Sequence, residues 1–497
     1  MATRTALSVA RTSSFSKKSK QNRPAAPRSN RQSERLSPAS HVSARQKAAS
    51  PSEAPRLRLF AARTGDQPSI HELLVSVFHG PSLTEFQAQL DEPGYLASDR
   101  LIVKDGEEIA AHLRLAKQTI QVDSVTLPAA RFMDLATAPE FRERGLATAL
   151  IAAGERAAAE RGALVGLTRT RAPALFARHG WSICGRHTFS EASPRSVLAE
   201  MAADAALAAA SGDTSPLAAR VRETIIVRPL RRIELRAIVR LYEQHLAGKS
   251  GWPTRSEEYW EWLLARGACD RVYVASNSAD SSDFERITNS IIGYACVRQS
   301  RIVELVAGGR DEVARQLIER VCADTREQDG WAVRYDAPAN DALHNVFRRA
   351  GGRVTINQEV GGEYFMAKLL DPLAALRRVS AALAIRARAA KASLPLELGI
   401  ELRSGGGRKS SASSGVLERF RLLLDKRSAR VETGGPSKHC LVLAYGDLAP
   451  LLLGDVSAES MIQSSRLRAT TPLAKQLAAL IFPGEDYFRP PLDDLLA

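Results

Sequence analysis

The sequence predicts an α+β protein: two successive mixed, mostly antiparallel sheets flanked by helices, with a smaller third α+β domain behind them. Three observations carry this. The chain has 497 residues and 44% apolar content, enough for roughly three packed units at about 150 residues each. Runs of period two and runs of period 3.6 follow one another in mixed order, not in strict strand–helix alternation. That order then restarts near residue 223, the mark of a duplicated unit.

Residues 1–55 hold 11 basic and 2 acidic side chains and only six of Met, Leu, Val, Ile, Phe, Trp, Tyr and Cys. Such a segment buries too little to repay ordering, so a disordered basic tail is expected, with an arm for polyanions or a targeting peptide as its functional alternatives. Order starts with RLRLFAA at Arg56, a strand, then PSIHELLVSVF, a helix with Pro68 in its first turn. LIVKDGEEIAAHLRLAKQTIQV carries Asp105–Gly106 between two strand-like runs, a hairpin. ARFMDLAT is a third strand. It leads through a polar turn into a helix that ends near Gly162, then the strand ALVGLTRT, the short helix PALFARHG and a final strand.

The first unit therefore spans 56–205, a connector 206–222, and a second unit 223–370. In that second unit IIVRPLRRIELRAIVRLYEQH, DRVYVAS, IIGYACVRQ, DEVARQLIERVCADTREQ, WAVRYDA and NDALHNVFRRAGG repeat the order of periods. Residues 371–497, with LPLELGIEL, the Gly/Ser stretch 405–415 and TPLAKQLAALIF, form the third domain.

Charge and composition exclude several function classes. The tail holds +9 of the net +14, leaving a nearly neutral body, which argues against a nucleic-acid face. Cys184, Cys269, Cys296, Cys322 and Cys440 are dispersed and odd in number, the pattern of reduced, buried thiols. The nine histidines show no metal-ligand spacing, so no metal is expected. Without an apolar span or secretory signal, the expectation is a cytoplasmic protein with no stable membrane insertion.

One segment carries chemistry. In MDLATAPEFRERGLATAL, Arg142, Arg144, Gly145 and Ala147 stand in R-x-x-G-x-A spacing between a strand and a helix. A helix's first turn has unpaired N–H groups and a partial positive charge, so it can hold a diphosphate. Gly145 permits close approach, Ala147 is small, and the arginines add charged donors. The dinucleotide fingerprint G-x-G-x-x-G is absent.

With this turn, the Met-Asp-Leu-Ala-Thr strand before it and the F-x-x-x-G-W run Phe176 to Trp181 after it, the chain resembles the GNAT acyl-coenzyme A N-acetyltransferases. More closely it resembles the Eis-like (enhanced intracellular survival) family, whose members join two GNAT domains to a C-terminal sterol-carrier-like (SCP2-like) domain. The resemblance implies that Arg142, Glu143, Arg144, Gly145, Leu146 and Ala147 hold the pyrophosphate of acetyl-CoA, and that Leu135, Ala136 and Thr137 offer backbone bonds to its pantetheine. It implies transfer of the acetyl group to a primary amine of a small molecule or peptide by direct attack in a ternary complex. It also implies a homo-oligomer, a hexamer in that family.

The family's usual acid, a tyrosine after the fifth strand, falls on Phe176, which has no O–H. Candidates for proton handling are His179, Asp134 beside the turn, and the carboxylate of Ala497, since Eis-like enzymes use the chain end as base. In the second unit VAGGRDEVARQL lacks the R-x-x-G-x-G/A spacing, so that unit is expected to be degenerate. The alternative is a weak or inactive GNAT-fold protein serving as an acyl-CoA-binding or interaction module. Aminoglycoside, polyamine, peptide N-terminus and lysine stay open as acceptors.

Overall fold

The computed structural model describes residues 57–210, 225–277, 290–389, 394–404, 415–426, 428–484 and 487–494. The tail 1–55, most of the connector and of the Gly/Ser stretch, and Ala497 lie outside the described residues.

The first sheet begins with β1 (Arg58–Ala61), β2 (Arg100–Asp105), β3 (Glu108–Asp123) and β4 (Val125–Thr137), antiparallel in sequence order. Gly106, with φ at +63°, makes the β2–β3 turn that the Asp-Gly pair predicts. Between β1 and β2 lie α1 (Gln67–Phe78), with Pro68 in its first turn, and α2 (Leu83–Leu90). Ser82 caps α2: its hydroxyl accepts from the Glu85 N–H while the Glu85 carboxylate accepts from the Ser82 N–H. α3 (Leu146–Glu160) buries Leu150, Ile151, Ala153, Gly154 and Ala158 on the sheet and stops before Gly162, at φ +84°. β5 (Val165–Thr170) then joins β4 in parallel, followed by α4 (Pro173–Ala177) and β6 (Ser182–Ile183).

The next strand changes sheets. β7 (His187–Ala192) and α5 (Pro194–Ala210) lead into β8 (Ile226–Pro229), α6 (Leu235–Leu246), β9 (Lys249–Pro253), α7 (Glu257–Ala265), β10 (Arg271–Ser276), β11 (Ile291–Arg298) and β12 (Arg301–Val306). After them come α8 (Asp311–Glu327), β13 (Val333–Asp336), α9 (Leu343–Arg349), β14 (Arg353–Asn357), β15 (Glu359–Val360) and β16 (Glu363–Leu369). The second sheet has the order β14-β7-β13-β12-β11-β10-β8, so β7 lies inside it. In return β16 pairs with β5 from Tyr364↔Thr170 to Leu369↔Val165, closing the first sheet, and β9 pairs with β3. The units expected at 56–205 and 223–370 thus exchange strands. Each exchanged strand covers an edge that would otherwise leave a row of backbone groups unpaired.

The third sheet, β19-β18-β17-β20-β21, comprises β17 (Leu396–Arg403), β18 (Val416–Leu424), β19 (Ala429–Thr433), β20 (Cys440–Ala444) and β21 (Leu467–Ala469). The remaining α-helices among the described residues are α10 (Pro372–Ala389), α11 (Leu448–Leu452), α12 (Ala458–Gln463) and α13 (Pro472–Ile481). Its core is continuous with the first sheet: Ile400, Leu422 and Leu477 belong to one cluster with Ile120, Leu127 and Val165. All five cysteines are buried and none forms a disulfide.

Candidate active site

Three backbone features meet at the end of β4. The first is a bulge. The β3–β4 register passes from His112↔Ala136 to Arg114↔Met133, so Asp134 and Leu135 together oppose Leu113, and Asp134 sits at φ +52°. His112, fully buried, bonds the Asp134 carbonyl through Nδ1 at 2.8 Å and the Arg100 guanidinium through Nε2 at 3.2 Å. A carbonyl can only accept and a guanidinium can only donate. Nδ1 therefore carries the proton, Nε2 is bare, and the ring is neutral.

Burial first, and then the Arg100 charge, pull the His112 pKa down to about 3. Between about pH 3 and the ordinary value near 6.5 the unfolded chain binds a proton that the folded site refuses. Stability therefore falls on acidification through that window, by up to about 1.4 kcal/mol per pH unit from this one group. His112→Gln should make the pH dependence of stability shallower by about one proton, as read by urea unfolding at a series of pH values; an unaltered slope would place a charged ring here.

The second feature is a splay. β4 and β5 pair from Ala129↔Val165 to Phe132↔Thr168 and no further, and the Thr168 hydroxyl donates to the Phe132 carbonyl at 2.8 Å. β5 stays with β16, so the β5-facing edge of β4 from Met133 to Thr137 has no strand partner among the described residues. Leu135, Ala136 and Thr137 lie on that stretch, where an extended ligand can take those of their backbone groups that point away from β3.

The third is the turn into α3. Glu143 (φ +63°) and Gly145 (φ +79°) alternate with neighbours of ordinary hand, and Gly145 is the N-cap. Among the described residues nothing accepts from the backbone N–H groups of Glu143 to Thr148. The first turn of α3 has no acidic side chain, and a Cβ built on Gly145 would meet nothing within 4 Å. Arg142 and Arg144 are exposed beside it; Arg142 Nε donates to the Thr137 carbonyl at 3.4 Å and Arg144 covers the Phe141 ring at 5.1 Å. Successive N–H groups converging on open space, with two arginines at the rim, fit a diphosphate.

The sheet separates two sides of this site. Phe132 faces α3, its ring close under Gly154, whereas Arg131 bonds the Asp493 carbonyl of the C-terminal segment at 3.3 Å on the opposite face. On that second face a cavity of about 450 Å³ opens at the splay, lined among others by Met133, Asp134, Arg298, Glu363, Arg489 and Asp494. Its walls come from the first sheet, the end of β11 and the C-terminal segment.

Buried ion pairs hold those walls. Glu92 joins Arg114 and Arg131, the latter at 2.7 Å. Arg255 grips Glu304 through two bonds of 2.8 Å and also Asp493. Arg489 and Asp494 pair through two more of 2.8 Å. Burial alone would raise the Asp494 carboxyl, but the Arg489 guanidinium beside it holds it well below the usual carboxylate range, so Asp494 is a charged wall and a poor base.

Of the residues singled out from the sequence, the structure brings Asp134, Leu135, Ala136 and Thr137 together at the bulge and splay, and Arg142 to Ala147 at the turn. Asp134 lines the cavity, and its Oδ2 is buried without a hydrogen-bond partner, 3.9 Å from Arg100. His179 does not line it; its N–H donates to the Phe176 carbonyl just past α4. Phe176 is core, edge-on to Trp181 at 5.2 Å, and the Trp181 indole N–H donates to Glu155. His112, Arg100, Arg298 and Arg489 were not singled out. The one trace of the first two is polar residues inside otherwise apolar strands, a pattern that does not reveal their partners.

The second sheet repeats the splay, since β12 and β13 pair only at Arg301↔Arg334 and Ile302↔Tyr335. A cavity of about 770 Å³ there reaches Gly308, Gly309 and Arg310. However, α8 opens with Asp311 and Glu312, carboxylates where a phosphate would have to lie. The larger cleft is thus the poorer phosphate site.

Among the described residues no group of His, Cys, Asp and Glu is arranged to hold a metal, and no helix is long and apolar enough to cross a membrane. Residues 60–184 match the profile of a family described as acetyltransferase (GNAT) domain. The chain is similar in structure to a GCN5-related N-acetyltransferase from Anabaena variabilis, with TM-score 0.64 and 16% identity over 87% of this chain and 99% of that one. It is also similar to a probable N-acyltransferase from Enterococcus faecalis (0.63, 13%, covering 85% and 96%) and to Eis1 from Mycobacterium abscessus (0.58, 16%, covering 87% and 99%). No curated protein sequence matches the chain. These likenesses show a GNAT fold, α+β, within a longer architecture of mixed sheets flanked by helices.

Proposed function

We propose that the protein is an acetyl-CoA-dependent N-acetyltransferase acting on a primary amine of a small molecule or peptide in a ternary complex. A GNAT acetyltransferase domain implies acyl transfer from an acyl-CoA. The observation that carries the finer reading is the unpartnered edge of β4 running into the free N–H groups at the start of α3, with a separate cavity across the sheet. The edge and turn take the cosubstrate, and the cavity takes the acceptor.

The residues then divide the work. Backbone N–H groups from Glu143 to Thr148, with Arg142 and Arg144, hold the diphosphate. The Leu135–Thr137 edge holds the pantetheine arm and polarises the thioester carbonyl as the amine attacks. His112 fixes the bulge by holding the Asp134 carbonyl. Asp134, facing the cavity, draws the amine and receives its proton through water. The C–N bond forms, the C–S bond breaks and sulfur leaves with the electron pair. A thiol pKa near about 8.5 makes thiolate a tolerable leaving group, so Phe176 in place of a phenol slows but does not forbid the step. The second sheet acts as a degenerate copy that walls the acceptor site, and the third as an SCP2-like scaffold.

Calorimetry with acetyl-CoA, followed by release of free thiol across an amine panel, tests this reading. One equivalent bound per chain and thiol release with at least one amine are expected. Two equivalents would mean that Asp311 and Glu312 do not exclude the second cleft. Binding with no release across the panel would reassign the protein as an acyl-CoA-binding module.

A further inference from the structure

We infer that the acceptor is a small amine that also bears a carboxylate, and that Arg298 is the residue that selects it. The inference rests on the proposed transferase reading and names the substrate class of its cavity.

Four arginines line the cavity: Arg131, Arg169, Arg298 and Arg489. Three have carboxylate partners. Arg131 meets Glu92 at 2.7 Å, Arg169 meets Glu363 at 2.5 Å, and Arg489 meets Asp494 at 2.8 Å. The Arg298 side chain has no hydrogen bond or ion pair among the described residues, although the residue is half-buried at the end of β11. An arginine held at a cavity wall with no anion has its planar fork available, and that fork matches a carboxylate through two parallel bonds.

The opposite charge is also present. Asp134 lines the same cavity with a carboxylate that is one-fifth exposed and has Arg100 behind its buried oxygen, next to the open edge of β4 where the acyl carbon must lie. A ligand with its amine toward Asp134 and a carboxylate toward Arg298 satisfies both groups at once. A polycation satisfies only the first and places charge against Arg298, which disfavours polyamines and aminoglycosides. About 450 Å³ is room for an amino-acid-sized acceptor. Arg298 comes from the second sheet, which gives that sheet a role in specificity without a cofactor of its own.

The test compares matched pairs of acceptors, free amino acids against their primary amides, by thiol release, with spermidine as the polycation. The wild-type protein should favour the acid over the amide by at least about tenfold in kcat/KM, the scale of one charge-assisted bond. In Arg298→Gln that preference should collapse toward one through a raised KM for the acids, and Arg298→Lys should restore part of it. Calorimetry of N-acetylated acids and amides in the presence of CoA should show the same preference, and its loss, without turnover. Amides or spermidine used as well as acids by the wild-type protein, or an acid KM unmoved in Arg298→Gln, would overturn the inference while leaving the transferase standing. Absence of acetyl-CoA binding, or no thiol release from any acceptor, would remove the transferase reading and this one with it.

Discussion

Gly145→Glu should sharply weaken acetyl-CoA binding while leaving a folded protein. Two separate costs arise. Gly145 is at φ +79°, where an L side chain adds about 1–2 kcal/mol of backbone strain. The space around it is empty of protein atoms, so the new side chain clashes with nothing and the fold survives with a modest loss of stability. Its carboxylate, however, lies before the free N–H groups that open α3 and occupies them as an internal anion. The expected loss of affinity is about 100-fold or more, equivalent to about 3 kcal/mol. Gly145→Ala separates the two causes, because it carries the strain without the charge and should lose far less. Unchanged affinity in Gly145→Glu by calorimetry would show that the diphosphate lies elsewhere.

Arg255→Ala should be among the most damaging single substitutions to stability. Arg255 is fully buried, holds Glu304 in a two-bond clasp and Asp493 at 2.5 Å, and lies over the Tyr242 and Trp260 rings at 4.3 and 4.6 Å. Removing it leaves two carboxylates facing each other away from water, a loss of about 3–5 kcal/mol. The damage should reach the active site as well. Asp493 anchors the C-terminal segment, and the adjacent Asp494 with Arg489 forms a wall of the acceptor cavity, so the acceptor KM should rise even where the protein remains folded. Adding Glu304→Gln and Asp493→Asn to Arg255→Met should recover much of the stability, because no buried charge is then left unpaired. Denaturant unfolding decides between these outcomes; a loss below about 1 kcal/mol for Arg255→Ala would mean that water reaches the cluster.

Much of the fold could be read from local pattern. The Asp105–Gly106 hairpin, Pro68 at the start of α1, the end of α3 before Gly162 and the turn into α3 each follow from a residue type at a position where backbone geometry demands it. Helices α2 and α7 are not marked by periodicity, although Ser82 and Glu85 form a capping box on the first and Ser256 caps the second. Both are short, and EEYWEWLLA is apolar on more than one side because Trp260 and Trp262 pack in different directions, the latter donating to the Ala88 carbonyl of the first unit.

The exchange of β7 and β16 was not legible at all. A strand's side chains specify that it wants a partner, and HTFSEA and EYFMAKL carry nothing that says which sheet receives them. The same holds for the cavity proposed for the acceptor, whose walls come from residues near 133, 298 and 494.

Alone, the sequence determined the local geometry of the segment proposed to hold the cofactor, because a strand, a left-handed glycine and the first turn of a helix are consecutive in the chain and their geometry is set by near neighbours. Tertiary structure decided the cavity proposed for the acceptor. There the charges of Asp134, Arg298, Arg489 and Asp494 converge from distant segments, and which of them stays paired depends on contacts that no local spacing encodes.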